Sequence, residues 1–354
     1  MSVAGVGMAY RSLGGRASAL AVFRGWGDLM LLQRMSDGWS VVTPAKVNLH
    51  LEVLGRRKDG YHDLDTILVA IDRTDRLSVS SSESSAIRLR VEVPGGGRFP
   101  AHWEVPSDAS NLAVRALELL RAEWGVSEGL EVVLAKSIPA QAGLGGGSSD
   151  AAAALVAGML ALRGAIDWPL AHRLAASLGS DINFFLTAPA GRLWAARAIG
   201  RGEVLEPIAS ARKLEFLVFQ PEQTCSTREV FALVSHSHAK VPSETWKEWL
   251  EGGSDASRMP QCLNRLEMAL AEKMAWVQSV QRAIEALSKE ATLLGHSMTG
   301  SGAAFFIVDW DRSKLQRLQQ RLSERLPVDS WLASSWTAPP VEQQLVDLRG
   351  GGDA

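Results

Sequence analysis

Between Pro139 and Leu155 the sequence reads PAQAGLGGGSSDAAAAL, a run of residue types suited to holding a ligand. Glycine accepts positive φ and lets peptide N–H groups come close to a bound group. Ser148, Ser149 and Asp150 are N-capping types, and the alanines behind them are strong helix formers. A ring of N–H donors at the positive end of a helix dipole makes an anion site suited to phosphates. A flexible Gly/Ser linker is the plainer reading. A linker is not expected between a strand and an uncharged apolar helix, so phosphate binding is favoured. Two familiar loops are excluded. A P-loop ends in Gly-Lys-Ser/Thr and no lysine follows these glycines, while the dinucleotide fingerprint needs a third glycine where Ser148 stands.

Other candidates lie apart in sequence. Lys46 and Asn48 alternate with Val47, Leu49, Leu51 and Val53, which puts them on the polar face of a strand. Such a lysine is by itself an ordinary solvated one. Asp181 follows a helix stop at Gly179 and precedes an apolar run, so its neighbours can anchor while its carboxylate points into a cleft. A simple helix N-cap is an equal alternative. Tyr61, one of two tyrosines, sits with His62 in a turn containing Gly60. An incidental aromatic in a tight turn competes there with a stacking platform for a base. Gly300 and Gly302 flank Ser301 ahead of a strand, where a hairpin turn is the competing reading. The seven histidines are scattered without metal-ligand spacing, and His236 and His238 are expected to be solvated.

The elements that must position these residues follow from periodicity. Strands are expected from residue 41 through the alternating segment, then over 66–71, 87–93 and 130–135, with a turn at 94–97. Ser110 is the expected N-cap of the next helix, and helices are expected over 148–162 and 169–178. Strands at 192–198 and 214–219 follow, then a polar insertion at 235–257. One long helix is expected over 262–287, a strand over 303–308 and a helix over 315–326. Strands and helices mix without strict alternation, which favours an α+β architecture of two domains. The expected division is an unstructured extension at 1–38, domains at 39–200 and 201–340, and a frayed tail at 341–354. The joint between the domains falls between residues 191 and 215.

Composition bounds the rest. The 354 residues suffice for two domains of roughly 150 residues each. A hydrophobic share of 46% and a charged share of 21% exclude a wholly disordered or fibrous chain. Net charge of -2 carries no footprint for nucleic acid or anionic membrane. Cys225 and Cys262 alone cannot build a disulfide framework, which points to a reducing, cytoplasmic setting. The longest apolar run, residues 151–162, is short of the ~20 residues of a membrane span. Residues 1–27 contain no Asp or Glu beside Arg11, Arg16 and Arg24, a faint likeness to a transit peptide. Without amphipathic period, a plain extension or an early start is the preferred reading.

Three separated motifs, PAKVNLHL from Pro44, GLGGGSSDAAAA from Gly143 and MTGSGAAFF from Met298, resemble those of the GHMP small-molecule kinase superfamily. Within it, RRKDGYHDLDT from Arg56 is similar to the branch that phosphorylates a cytidine-diphosphate-linked methylerythritol for non-mevalonate isoprenoid synthesis. LGSDINFFL from Leu178 and GRGE from Gly200 agree, so the likeness runs in order over residues 43–308. The resemblance implies an ATP-dependent kinase of two α+β domains with its active site in the cleft between them. It implies that Pro139, Ala140, Gln141, Ala142, Gly143, Leu144, Gly145, Gly146, Gly147, Ser148 and Ser149 wrap the ATP phosphates. Asn111 and Lys136 would sit near the adenine, and Asp181 would be the catalytic base with Lys46 beside it. Tyr61 and His62 would hold the cytosine, and Asn48 would contact the substrate.

Such chemistry is consistent with the residues, since phosphoryl transfer asks for positioning, charge stabilisation and a carboxylate to take the hydroxyl proton. Mg2+ would arrive with ATP, its protein ligands unassigned. The expected partners are ATP and the small-molecule substrate, with no nucleic acid or membrane, in a monomer or homodimer. Three positions depart from the pattern: Gln141 replaces a small residue, Asn183 a proline, and Arg265 a commonly acidic residue. A homoserine, mevalonate or sugar kinase is the alternative, against which the DGYH of residues 59–62 speaks. A nucleotide-binding sensor without chemistry is another, against which Lys46 and Asp181 together speak.

Overall fold

A computed structural model describes residues 30–93, 103, 105–187, 193–235 and 238–337. The turn expected at 94–97 and the tail expected at 341–354 lie outside them. The chain opens with strands β1 (Leu31–Arg34), β2 (Gly38–Arg56), β3 (His62–Ser82) and β4 (Ile87–Glu92). Helix α1 (Leu112–Trp124), strand β5 (Gly129–Ala135) and helices α2 (Gly146–Arg163), α3 (Trp168–Leu178) and α4 (Ile182–Leu186) follow. A hairpin, β6 (Leu193–Gly200) and β7 (Val204–Ser210), completes this half. The sheet runs β1-β2-β3-β5-β4, with β6 beside the first half of β3 and β5 beside its second half.

The second half holds β8 (Glu215–Pro221), α5 (Thr227–Ala232), α6 (Glu244–Leu250), β9 (Leu263–Asn264) and α7 (Arg265–Ala271). It continues through α8 (Ala275–Glu290), β10 (Gly295–Met298), β11 (Phe305–Asp309), α9 (Arg312–Ser323) and β12 (Val328–Ser334). An antiparallel sheet of order β10-β11-β8-β12 results, while β9 pairs with β2 of the first sheet. The α+β class expected from the sequence is the class observed.

Packing explains the composition. Ala151, Ala152, Ala153 and Ala154 of α2 are wholly buried, and their small side chains let the helix lie close to the sheet and to α1. A second core joins the sheets, with Val47, Leu49 and Ile67 of the first meeting Phe216, Val218 and Phe306 of the second. Helices α8 and α9 cover the outer face of the second sheet.

Several expectations are corrected. The extension placed at 1–38 ends earlier, because β1 pairs with β2 and buries Met30 and Leu32 against the core. The domain joint at 200/201 would cut the β6–β7 hairpin, whose two strands share one ladder, so the crossing between sheets falls at 211–214. Asn111 rather than Ser110 caps α1, its side chain accepting the Ala113 N–H at 2.9 Å. The long helix over 262–287 is two helices, since Lys273 and Met274 both donate their N–H to Leu270 O and close α7 there. Within the polar region 235–257, Trp246, Trp249 and Leu250 of α6 fill the core between the sheets, and His238, expected to be solvated, pairs with Glu52 at 3.1 Å. The apolar face of α6 spans only two turns and is diluted by the charges around it.

Candidate active site

The polar face of β2 is covered rather than solvated. Lys46, Asn48, His50 and Glu52 are all nearly inaccessible, because residues 141–145, the turn 299–302 and α7 close over them. Register shifts at Pro44/Ala45 and Asn48/His50 bend β2 where this cover begins, as bulges do. A proline in a central strand is tolerated at such a break.

The glycine loop is moored at both ends. Lys46 N–H donates to Leu144 O at 3.0 Å, and Ala304 N–H to Ala142 O at 3.1 Å. Ala142 and Leu144 point into the core between the sheets, with Pro139 also buried. Gly143 and Gly145 adopt φ of 74° and 72°. At Gly143 a Cβ would fall 2.0 Å from Thr299 O, so only glycine lets the two turns meet. Gln141 shares the positive φ, at 51°, on the exposed shoulder of the loop.

Gly145 starts α2 without a side-chain cap. The first-turn N–H groups at Gly146, Gly147 and Ser148 therefore have no helical acceptor, and the helix dipole adds positive potential there. Ser149 is placed differently from expectation. Its buried hydroxyl donates to Pro44 O at 2.7 Å and accepts from Thr43 Oγ1 at 2.6 Å, which pins α2 to β2. Ser148 is half-buried and makes no such bond.

Lys46 Nζ donates to Asn48 Oδ1 at 2.7 Å and Gly143 O at 2.8 Å, and lies 3.6 Å from Asp181 Oδ2. Burial pushes its pKa down, opposed by the charge and hydrogen bond of Asp181. Asn48 is a junction. Its Oδ1 also accepts the Gly300 N–H at 2.9 Å, and its Nδ2 donates to Thr66 Oγ1 at 2.8 Å. Asp181 stands at the start of α4, yet its side chain makes no capping bond and is 37% exposed toward the cleft.

That cleft, of about 1560 Å³, gathers Lys46, Asn48, Tyr61, His62, Gly143 and Asp181. Tyr61 is 56% exposed, and the His62 ring stacks on Phe231 of α5 with centroids 5.0 Å apart. Asn111 and Lys136 do not line the cleft. Asn111 caps α1 and donates from Nδ2 to Pro106 O at 2.7 Å. The Lys136 ammonium is buried between Asp75 and Asp150, 2.8 Å from the latter. Burial alone would lower its pKa, but the two carboxylates hold it above the ordinary value. Its side chain thus anchors the first turn of α2 through Asp150.

Sequence reasoning missed Asn264, Glu267 and Phe231. Asn264 Nδ2 donates to Met298 O at 2.7 Å and Gly300 O at 2.8 Å, while Glu267 Oε2 accepts the Met298 N–H at 2.8 Å. Together they shape the glycine turn from the α7 side. Asn264 reads as a capping residue, a faint signal that gives no hint of the distant turn. Nothing marks Phe231, on a helix of six residues. Among the described residues no three His, Cys, Asp or Glu cluster as a metal cage, and no helix is long and apolar enough to cross a membrane.

Known proteins resemble this chain in sequence and fold. Residues 111–187 match the GHMP kinases N terminal domain, and residues 257–328 match the GHMP kinases C terminal. A 4-diphosphocytidyl-2-C-methyl-D-erythritol kinase of Rhodopirellula baltica is 38% identical over 291 residues, covering 77% of this chain and 87% of the relative. Its counterpart in Desulfitobacterium hafniense is 33% identical, over 79% of this chain and 90% of the relative. The crystal structure of a 4-(cytidine 5'-diphospho)-2C-methyl-D-erythritol kinase superposes with a TM-score of 0.64 at 32% identity, over 83% of this chain and 98% of that one. A homoserine kinase from Cytophaga hutchinsonii, at 17% identity and a TM-score of 0.58, covers 87% of this chain and 98% of its own and shares the fold alone.

Proposed function

The chain belongs to the GHMP kinases, and from that membership we propose that it phosphorylates 4-diphosphocytidyl-2-C-methyl-D-erythritol on its 2-hydroxyl with ATP, releasing ADP. The observation that carries this reading is the Lys46–Asp181 pair, 3.6 Å apart where β2, the glycine loop and α4 converge on the cleft.

Each part has a task. The uncapped first turn of α2 would receive the phosphates, its N–H groups replacing their water. Asp181 would accept the proton of the attacking hydroxyl, for which its exposed carboxylate has the required reach. Lys46, held by Asn48 and Gly143, would set positive charge between that carboxylate and the transferred group. Tyr61 and His62, which also line the cleft, would hold the cytosine, with Phe231 backing the histidine. Asn48, whose Oδ1 and one amide hydrogen are taken by four partners, would fix Lys46 and the glycine turn, and substrate contact would be left to its second amide hydrogen.

Mg2+ fits as part of the nucleotide rather than as a resident ion. It keeps phosphate and water oxygens and asks a protein for one or two more. The half-buried Ser148 hydroxyl would supply one, and the ion would neutralise charge on the phosphates.

The test is ADP release from Mg-ATP against a panel of alcohols. The cytidine-bearing substrate is expected to turn over fastest, with phosphate found on its 2-hydroxyl. Faster turnover of homoserine or mevalonate would overturn the reading.

A further inference from the structure

Residues 200–203, the GRGE turn between β6 and β7, have no task in the mechanism above. Gly200 and Gly202 take φ of 72° and 104°, which makes the turn tight. A Cβ on Gly202 would stand 3.8 Å from Asp181 Oδ1, so one side of the turn abuts the catalytic carboxylate. Arg201, between the glycines, reaches the other way. Its guanidinium carbon lies 4.9 Å from the centre of the Tyr61 ring. The arginine is itself anchored, because Glu203 accepts its backbone N–H at 2.5 Å and its Nε–H at 3.4 Å.

Tyr61 needs such a support. Its main chain is pinned, with its N–H donating to Asp59 Oδ1 at 3.1 Å and its carbonyl accepting the Arg57 N–H at 2.8 Å. Its ring is 56% exposed, and among the described residues no other ring or cation contact steadies it. A guanidinium over an aromatic face is attracted to the ring quadrupole and occupies one face only. The opposite face stays open to a planar partner in the cleft.

We infer that Arg201 is a positioning residue for base recognition: anchored by Glu203 and laid on Tyr61, it holds the ring so that the open face meets the pyrimidine of a cytidine-diphosphate substrate. The inference rests on the substrate proposed above. Without the arginine the ring samples several rotamers, and the substrate must order it on binding. The loss therefore falls on substrate affinity and not on the chemical step.

Steady-state kinetics of the full chain, with calorimetric titration of cytidine diphosphate, test this. Arg201→Ala is expected to raise KM for the cytidine substrate and Kd for cytidine diphosphate about 2- to 5-fold, the effect of one exposed cation–π contact. Here kcat and KM for ATP stay at their wild-type values. Arg201→Lys, a cation without the planar fork, falls in between. In a Tyr61→Ala background, Arg201→Ala adds nothing further, because the arginine acts through the ring. Equal losses in both backgrounds would overturn the inference by showing that Arg201 acts without Tyr61. So would wild-type KM and Kd in the single variant. A wild-type protein that neither binds cytidine diphosphate nor phosphorylates the cytidine substrate would instead defeat the proposed function, and this inference with it.

Discussion

At Asp181 the position of an N-cap and the behaviour of one separate. The residue precedes α4, yet its carboxylate makes no capping bond and pairs with Lys46 at the cleft. Asp181→Asn is therefore expected to cut kcat by ~100- to 10,000-fold, the range for loss of a general base. KM for ATP should hardly move. An Asn variant within a few-fold of wild type in ADP release would return the residue to a structural role. The neighbouring departure from the family pattern takes a local partner: Asn183 Oδ1 pairs with His172 Nδ1 at 2.9 Å, and Asp181 has helical backbone angles, φ -79° and ψ -12°. Elsewhere in the cleft, Tyr61→Ala should weaken the cytidine substrate by ~1–3 kcal/mol, the worth of one base–aromatic stack. That is roughly 5- to 160-fold in affinity. A substrate analogue lacking the cytidine is the control, and an equal loss with it would show the turn to be structural.

Strand β2 acts as the spine of the site, and what clamps it explains the third departure from the family pattern. Arg265, the first residue of α7, makes two hydrogen bonds to Glu52, at 2.9 and 2.6 Å. His238 and the Val241 N–H complete the carboxylate's shell at 3.1 Å each. The pair ties α7 to β2, and through the adjacent Asn264 steadies the glycine turn at Met298 and Gly300. Burial pushes the Glu52 carboxyl up, but the hydrogen bonds of Arg265, Val241 and His238 outweigh it and bring the pKa to about 2, against 4.5 ordinarily. A pKa depressed by folding contributes stability above 4.5 that is lost as pH falls toward 2. The contribution is about 3 kcal/mol at neutral pH. Urea unfolding of wild type and Glu52→Gln should therefore differ most above pH 5 and converge near pH 2. A constant difference across that range would remove Glu52 from the acid limb.

At the scale of the molecule, two sheets share one core, and the active site lies where their turns meet above it. Strand β1 is the outermost piece of the first sheet. Removing residues 1–29 keeps Met30 and Leu32 in the chain, whereas removal through Arg34 strips both from the core. Each buried side chain of that kind is worth ~1.5–3 kcal/mol, so the longer deletion should lower the melting temperature by several degrees relative to the shorter. Equal melting temperatures would place β1 outside the cooperative core. The end of the extension is not legible in the sequence because four strand residues, Leu31–Arg34, are too few for a periodic signal. Local chemistry did determine much by itself. The glycine loop, the alanine helix behind it and the alternation along β2 depend on backbone freedom, helix propensity and period, all carried by neighbours in the chain. Only tertiary structure decided that the polar face of β2 is buried, that Ser149 and Lys136 are anchors, and that Asn264 shapes a turn 34 residues away. Those roles depend on which distant group comes to occupy each polar atom, and one residue type serves equally well exposed, capping or buried until the sheets close.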